Sequence, residues 1–455
     1  MTRSAALGRR WLAGDPVGPT PVRTSAARLP RLVLLAWGAL FFNVLTPGGS
    51  ATVLPIPYAV GQALAQGSLA VALLFALLAN PRLVVRPTLF LVLLSALAIS
   101  ALAVSLHSEF FVGSTYRGLR LVGFVTCLWL LTPWWGRADL VLLRCHRVCL
   151  ALIIASVVVG LALSPGKAFS TNGRLGGALW PIPPTQVAHY GAALLGTTAI
   201  LWMCRIIAGR HALLLILVTA GVLVCTHTRT ALLGLIIGLA VAAGSLFLGH
   251  ARVRRTAGAS LVAGIVAAAL FARPVVDWLS RGQSAEDAAQ LTGRTKVWDS
   301  VSQTVRPVAR EIFGNGLSNK SFEGLPVDSG WVATFVDLGW LGIAIQTSML
   351  LLLVLMAITR VRGPRRALAL FLILYCVVAS ITETGLGDAS PYLLDLAVAA
   401  SLLVTEPRRA SWRTVAGEEM NVEVGQSGSF SKRRRMAGGQ PVDFAVTRTG
   451  GPPGT

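Results

Sequence analysis

Residues 330–358 read GWVATFVDLGWLGIAIQTSMLLLLVLMAI. A helix needs about 20 apolar residues to cross roughly 30 Å of hydrocarbon, and this stretch exceeds that length with almost no polar face. In lipid, backbone amides are satisfied only inside helices or closed barrels, so the stretch predicts a transmembrane helix. Applied outward, the same criterion marks further apolar runs near 32–46, 58–79, 88–106, 119–133, 148–163, 187–204, 212–226, 230–248, 256–273, 367–382 and 391–404. The expected fold is all-α, a polytopic transmembrane helix bundle of about 12 spans.

Composition points the same way. The 455 residues are 54% hydrophobic and only 13% charged, where a soluble domain carries about 25% charged residues. The formal charge of +21 would suit a nucleic-acid partner only if the basic residues gathered on one face or along one helix. They sit instead between apolar runs, so topology explains them and no nucleic acid is expected. The cysteines (Cys127, Cys145, Cys149, Cys204, Cys225, Cys376) form no CxxC and have no His at metal spacing, which predicts neither a disulfide framework nor a metal site.

Lys and Arg in short loops favour the cytoplasmic side. With the N-terminus placed inside, 28 of the 40 Lys and Arg fall in inside segments. Residues 1–31 hold six arginines and a single acid, Asp15, without the apolar core and cleavage site of a signal peptide. They read as a disordered, basic cytoplasmic tail. Residues 32–404 form the transmembrane domain. Residues 405–455 are polar, rich in Gly, Ser and Pro, and carry the basic run Lys432–Arg435, which reads as a second disordered cytoplasmic tail drawn to anionic lipid. The expected location is the bacterial cytoplasmic (inner) membrane.

This orientation puts one long loop, about 274–329, outside, with acids nearly balancing its basic residues. Within it, Val297, Trp298, Val301, Val305, Val308 and Ile312 recur at helical spacing. Lys296, Asp299, Ser300, Gln303, Arg306 and Arg310 take the other face, with Thr292 as a cap and Pro307 as a kink. Such a helix can lie on the bundle and roof a cavity.

Three outside arginines then need a reason: Arg174, Arg229 and Arg294. Snorkelling or pairing with a loop acid explains any one of them. Three together around an outer cavity suit a diphosphate, because a guanidinium grips phosphate oxygens with two parallel hydrogen bonds. His227, beside Arg229, is either a base or diphosphate donor or a structural residue, and His189 carries the same alternatives. Snorkelling accounts for Arg117 and Arg120. Glu383, Asp388 and Asp395 cluster near the last outer loop, Asp395 inside a span, where an acid is either functional or at a helix end. GNGLSN at 314–319 reads as a turn, and Gly234 and Gly238 form a GxxxG packing pattern.

The order THTRTALLGLIIGLAV (226–241), LTGRTKVWDSV (291–301), GNGL (314–317) and DSGWVATFVDLGWLGI (328–343) resembles the O-antigen ligase and polymerase superfamily. GRLGGALWPIPPTQVA (173–188) is similar to an upstream stretch of the same family. The resemblance covers about 165 to 350. It implies metal-independent, inverting glycosyl transfer without a cofactor, on the outer face of the membrane, from a polyprenyl-diphosphate carrier to an acceptor hydroxyl. The implied partners are a lipid-linked oligosaccharide, membrane lipid and other polysaccharide-assembly proteins.

By matching position, Arg229 and Arg294 would hold the diphosphate, with assistance from Arg174. Where ligases carry His-Asn, this chain has Asp328-Ser329, with Trp331 in place of Tyr and Pro183-Pro184-Thr185 in place of Pro-Asn. The resemblance thus makes Asp328 the candidate base, and its departure there favours a polymerase of exopolysaccharide or cell-wall glycan over a lipid A ligase. The alternative is a transporter or flippase of an anionic lipid or lipid-linked glycan, using the same arginines without a base.

Overall fold

A computed structural model describes residues 29–45, 51–53, 55–247, 249, 251–259, scattered positions from 262 to 273, and 294–404 apart from 319, 323 and 324. The chain divides into two units, Met1–Glu406 and Pro407–Thr455. The expected tails and the stretch around 256–273 lie wholly or largely outside the described residues, as does Thr292.

The described residues are mostly helical, with almost no strand. Eleven helices fall on eleven of the expected apolar stretches: α1 (Arg31–Val44), α2 (Tyr58–Ala79), α3 (Leu89–Ser105), α4 (Phe111–Leu130), α5 (Val141–Leu163), α6 (Pro184–Met203), α7 (Gly209–Cys225), α8 (Arg229–Leu246), then, after two shorter helices, α11 (Gly330–Thr359), α12 (Pro364–Ala379) and α13 (Pro391–Leu403). Of these, α2, α5, α8 and α11 are long and apolar enough to cross a membrane, and α1, α3, α7 and α13 are shorter apolar helices. Local chemistry sets the helix starts. Thr88 caps α3 by accepting from the Leu91 N–H, and Ser390 caps α13 by accepting from the Leu393 N–H. Proline at the first helical turn opens α6, α12 and α13, where its missing N–H costs nothing.

Two helix starts differ from expectation. Helix α4 begins eight residues before 119, and α5 begins at Val141 rather than 148. Arg144 and Arg147 make 141–147 look like a loop. The helix nonetheless contains them, and Arg147 donates to Thr198 Oγ1 at 3.2 Å.

The main core cluster has Trp37, Phe90, Phe124, Trp135, Tyr190, Phe371 and Tyr375 fully buried. Apolar side chains such as Leu64, Leu74 and Leu78 of α2 and Leu213, Leu214 and Leu217 of α7 stay exposed, as on surfaces that face lipid. Between helices in lipid, close van der Waals packing replaces the hydrophobic drive. Gly196 of α6 and Gly238 of α8 both press on the ring of Phe371 in α12, and Gly234 presses on Tyr375. The GxxxG pair is therefore a packing surface, and its register makes α8 and α12 antiparallel.

The amphipathic segment is shorter than its periodicity predicts. It forms α9 (Arg294–Gln303) and a separate α10 (Val308–Phe313). Val297 and Val301 are buried against Val327, Ala333 and Val336, but Val305, Val308 and Ile312 are exposed. Pro307 lacks an N–H and disfavours helical geometry at the residue before it, so the apolar stripe breaks there instead of bending. The guanidinium of Arg306 lies over the rings of Phe322 and Phe335, 5.5 and 5.2 Å from their centroids.

The stretch 330–358 is likewise not one continuous helix. Gly339 (φ 60°, ψ −157°) interrupts α11. The carbonyls of Val336 and Asp337, just before the break, receive the N–H groups of Asn315 and Gly316 at 3.0 and 2.9 Å. Ser318 donates to Asp337 Oδ1 from both its N–H and its hydroxyl, at 3.1 and 2.7 Å. The GNGLSN turn thus supplies the donors that a broken helix lacks. A two-residue antiparallel strand pair, Ser321–Phe322 with Leu325–Pro326, follows it.

Gly339→Ala is expected to destabilise the protein by about 1–3 kcal/mol or more, because only glycine tolerates this conformation and the added methyl meets the Glu311 and Ile312 backbone. Gly363→Ala, with open space around it, serves as control. Thermal unfolding in detergent reads the difference, and equal midpoints would contradict the account of the break.

Candidate functional site

At the end of the bundle where α6, α8, α11 and α13 begin lies a cavity of about 300 Å³. Its polar lining includes Arg120, Gln186, His189, Lys320, Glu383 and Asp388. Arg120 is fixed from behind. Its Nε donates to Asn43 Oδ1 at 3.1 Å and a terminal nitrogen to Asn43 O at 2.8 Å, while Asn43 Nδ2 donates to Ala65 O at 2.9 Å. Snorkelling therefore does not describe Arg120, since its head is held in the cavity wall by a side chain from α1. Lys320, from the hairpin after the GNGLSN turn, stands 3.7 Å from Asp388 Oδ2. Cations and carboxylates thus share one small space.

Beneath the cavity lies a buried cluster of two histidines and an aspartate. His146 Nε2 of α5 is 2.8 Å from Asp395 Oδ1 of α13, and His189 Nε2 of α6 is 3.3 Å from Asp395 Oδ2. The three side chains are at most 3% exposed. These are ion-pair distances without aligned hydrogen bonds, since neither ring nitrogen pair nor carboxylate meets hydrogen-bond geometry. Aromatic rings enclose the cluster, with Phe41 5.0 Å from the His146 ring and Tyr392 4.3 Å from that of His189. A carboxylate removed from water must be paired, and two imidazoles meet that need.

The sequence-expected residues fall into separate places. Arg174, His227 and Arg229 meet at the turn between α7 and α8. There Arg174 Nε donates to Thr226 O and a terminal nitrogen to Thr228 Oγ1, both at 2.9 Å, and the Leu175 N–H donates to Cys225 O at 3.0 Å. Arg174 thereby ties the segment before α6 to the start of α8. His227 takes a left-handed backbone (φ 50°) in the same turn.

Arg229 is the first residue of α8. The Gly234 to Tyr375 contact brings it level with the end of α12. Asp328 precedes α11, where the Gly330 N–H donates to Ser380 O at 2.9 Å and Gly330 lies against the Glu383 carbonyl. Among the described residues, Arg174, His227, Arg229 and Asp328 sit around the cavity end without lining the cavity. Arg294 opens α9, but its side chain lies outside the described residues.

Sequence reasoning had marked His189, Glu383, Asp388 and Asp395 as weaker candidates, and these are the ones the fold gathers. Lys320 and His146 carry no such mark in the sequence, and Arg120 reads there as a snorkelling residue. An arginine within α4 carries no signal of a partner 77 residues away, and His146 falls in a segment that reads as loop.

Arg174→Ala is expected to loosen the turn and cost about 1.5–3 kcal/mol, the usual worth of hydrogen bonds from a charged donor, with Thr228→Val costing less. Limited proteolysis and thermal unfolding measure this, and an unchanged Arg174→Ala protein would contradict the bracing role. No family model matches the chain, and no curated protein matches it.

Proposed function

We propose that the protein transfers a glycan from a polyprenyl-diphosphate carrier to an acceptor hydroxyl in cell-envelope or extracellular polysaccharide synthesis. The observation that carries this is the mixed lining of the cavity. Arg120 and Lys320 suit phosphate oxygens, while Gln186, Glu383 and Asp388 suit the hydroxyls of a sugar. A ligand that is anionic at one end and hydroxyl-rich at the other fits this pairing better than a simple anion would. The volume lies at the lower end of the roughly 300–1,000 Å³ typical of small-molecule sites.

The cavity end is read as facing out of a bacterial cytoplasmic membrane, with both termini cytoplasmic, in keeping with the distribution of Lys and Arg in the short loops. The resemblance assigns Arg229 and Arg294 to the leaving diphosphate. Arg229 supports this by its place as the first residue of α8, level with the end of α12 at the cavity end of the bundle. In such a reaction, cations fixed beside the leaving group stabilise the charge that grows there as the sugar departs.

Purified protein mixed with polyprenyl-diphosphate oligosaccharide and a glycan acceptor is expected to form an extended glycan. Arg120→Ala, Arg229→Ala and Arg294→Ala should each slow product formation by about 10²-fold to 10³-fold, the effect of removing one such donor. Product at equal rates from wild type and all three variants would sink the assignment. Movement of labelled lipid across liposomes with no glycan product would favour the transporter reading instead.

A further inference from the structure

We infer that His189 is the proton acceptor for the attacking hydroxyl, and that Asp395 and His146 position it and stabilise its charged form. This inference rests on the glycan-transfer reading and names the base that the reading requires. Three observations carry it. His189 is the one member of the buried cluster that lines the cavity. Its Nε2 faces Asp395 Oδ2 at 3.3 Å, so a proton gained on the ring is compensated by a carboxylate. Both its ring nitrogens are buried without an aligned hydrogen bond among the described residues, although buried polar atoms are nearly always paired, and with Nε2 turned to Asp395 it is Nδ1 that remains to receive a donor. An unpaired ring nitrogen on a side chain that lines the cavity is a place for a hydrogen-bond donor to arrive. Asp328, the alternative base, does not line the cavity.

His146 occupies Oδ1 of Asp395 at 2.8 Å, which fixes the carboxylate so that Oδ2 is directed to His189. Both are positioning residues, comparable in logic to a carboxylate that holds a catalytic imidazole and stabilises the imidazolium. On the bundle side the rings of Tyr190, Tyr375 and Tyr392 pack against His189 at centroid distances of 5.5, 5.3 and 4.3 Å. On the cavity side the charged groups are Arg120, Lys320, Glu383 and Asp388.

The step balances without a co-reactant. The acceptor O–H bond breaks and its proton goes to His189 Nδ1. The freed oxygen forms a bond to the anomeric carbon. The anomeric carbon's bond to the diphosphate oxygen breaks, and its electron pair leaves with the diphosphate. Water entering the vacated cavity then takes the proton from His189.

The test measures kcat, KM and the pH profile of glycan transfer from polyprenyl-diphosphate oligosaccharide by full-length protein. His189→Gln is expected to lower kcat by about 10²-fold to 10⁴-fold, the range of general-base catalysis, with KM nearly unchanged. The acidic limb of the wild-type profile should disappear with it. Asp395→Asn and His146→Gln should move that limb rather than abolish it, a shift that a purely structural role does not produce. Thermal unfolding of each variant separates lost chemistry from lost fold, and the wild-type pH profile needs no variant.

A folded His189→Gln protein within threefold of wild-type kcat would overturn the inference while leaving glycan transfer intact. So would an acidic limb that vanishes in Asp328→Asn and persists in His189→Gln. Absence of transfer by the wild type would overturn the functional reading, and the base would fall with it.

Discussion

A single carboxylate shared by two imidazoles ties the centre of this bundle together. Asp395 is buried among apolar and aromatic side chains, where an unpaired charge would cost several kcal/mol even after relaxation. It is tolerated because α5 and α6 each bring a histidine to within ion-pair distance. That requirement fixes how α5, α6 and α13 stand against one another. It also determines what lies below the cavity: a polar floor where hydrocarbon packing would otherwise continue. Loss of one imidazole removes one of the two ring nitrogens that stand beside the carboxylate.

A second constraint acts at the same end of the molecule. Gly339 breaks α11 and frees carbonyl groups that the GNGLSN turn then binds through its own N–H groups. The turn in turn delivers Lys320 to the cavity wall, where it meets Asp388. The broken helix is therefore what positions one of the two cavity cations. The other, Arg120, depends on Asn43 of α1. Both cations are thus held by polar contacts inside an otherwise apolar scaffold, as pre-organised binding groups are.

Much of the helical layout was legible from apolar length alone, because a run such as 58–79 has no competing interpretation, and α2 occupies Tyr58–Ala79. Helix starts that carry arginine were less legible. Arg144 and Arg147 disguised the first two turns of α5, and His146 was hidden with them. Helical periodicity likewise predicted one amphipathic helix through Ile312, whereas Pro307 divides it. The site was only partly readable for a related reason. Asp395 and His189 stood out as polar residues in apolar segments, but their meeting depends on tertiary packing between positions some two hundred residues apart in the chain. Arg120 carried no local signal, since its partners come from α1 and from Ala389.

The chemistry proposed for the cavity depends on a diphosphate lying among its cations, directly above the buried cluster. An experimental structure of the protein with polyprenyl diphosphate bound tests this most directly. The account predicts phosphate oxygens within about 3 Å of Arg120 or Lys320 nitrogens, the distance of charge-assisted hydrogen bonds, and the cleavable end of the carrier next to His189. A diphosphate seated elsewhere, with the cavity left to solvent, would contradict it.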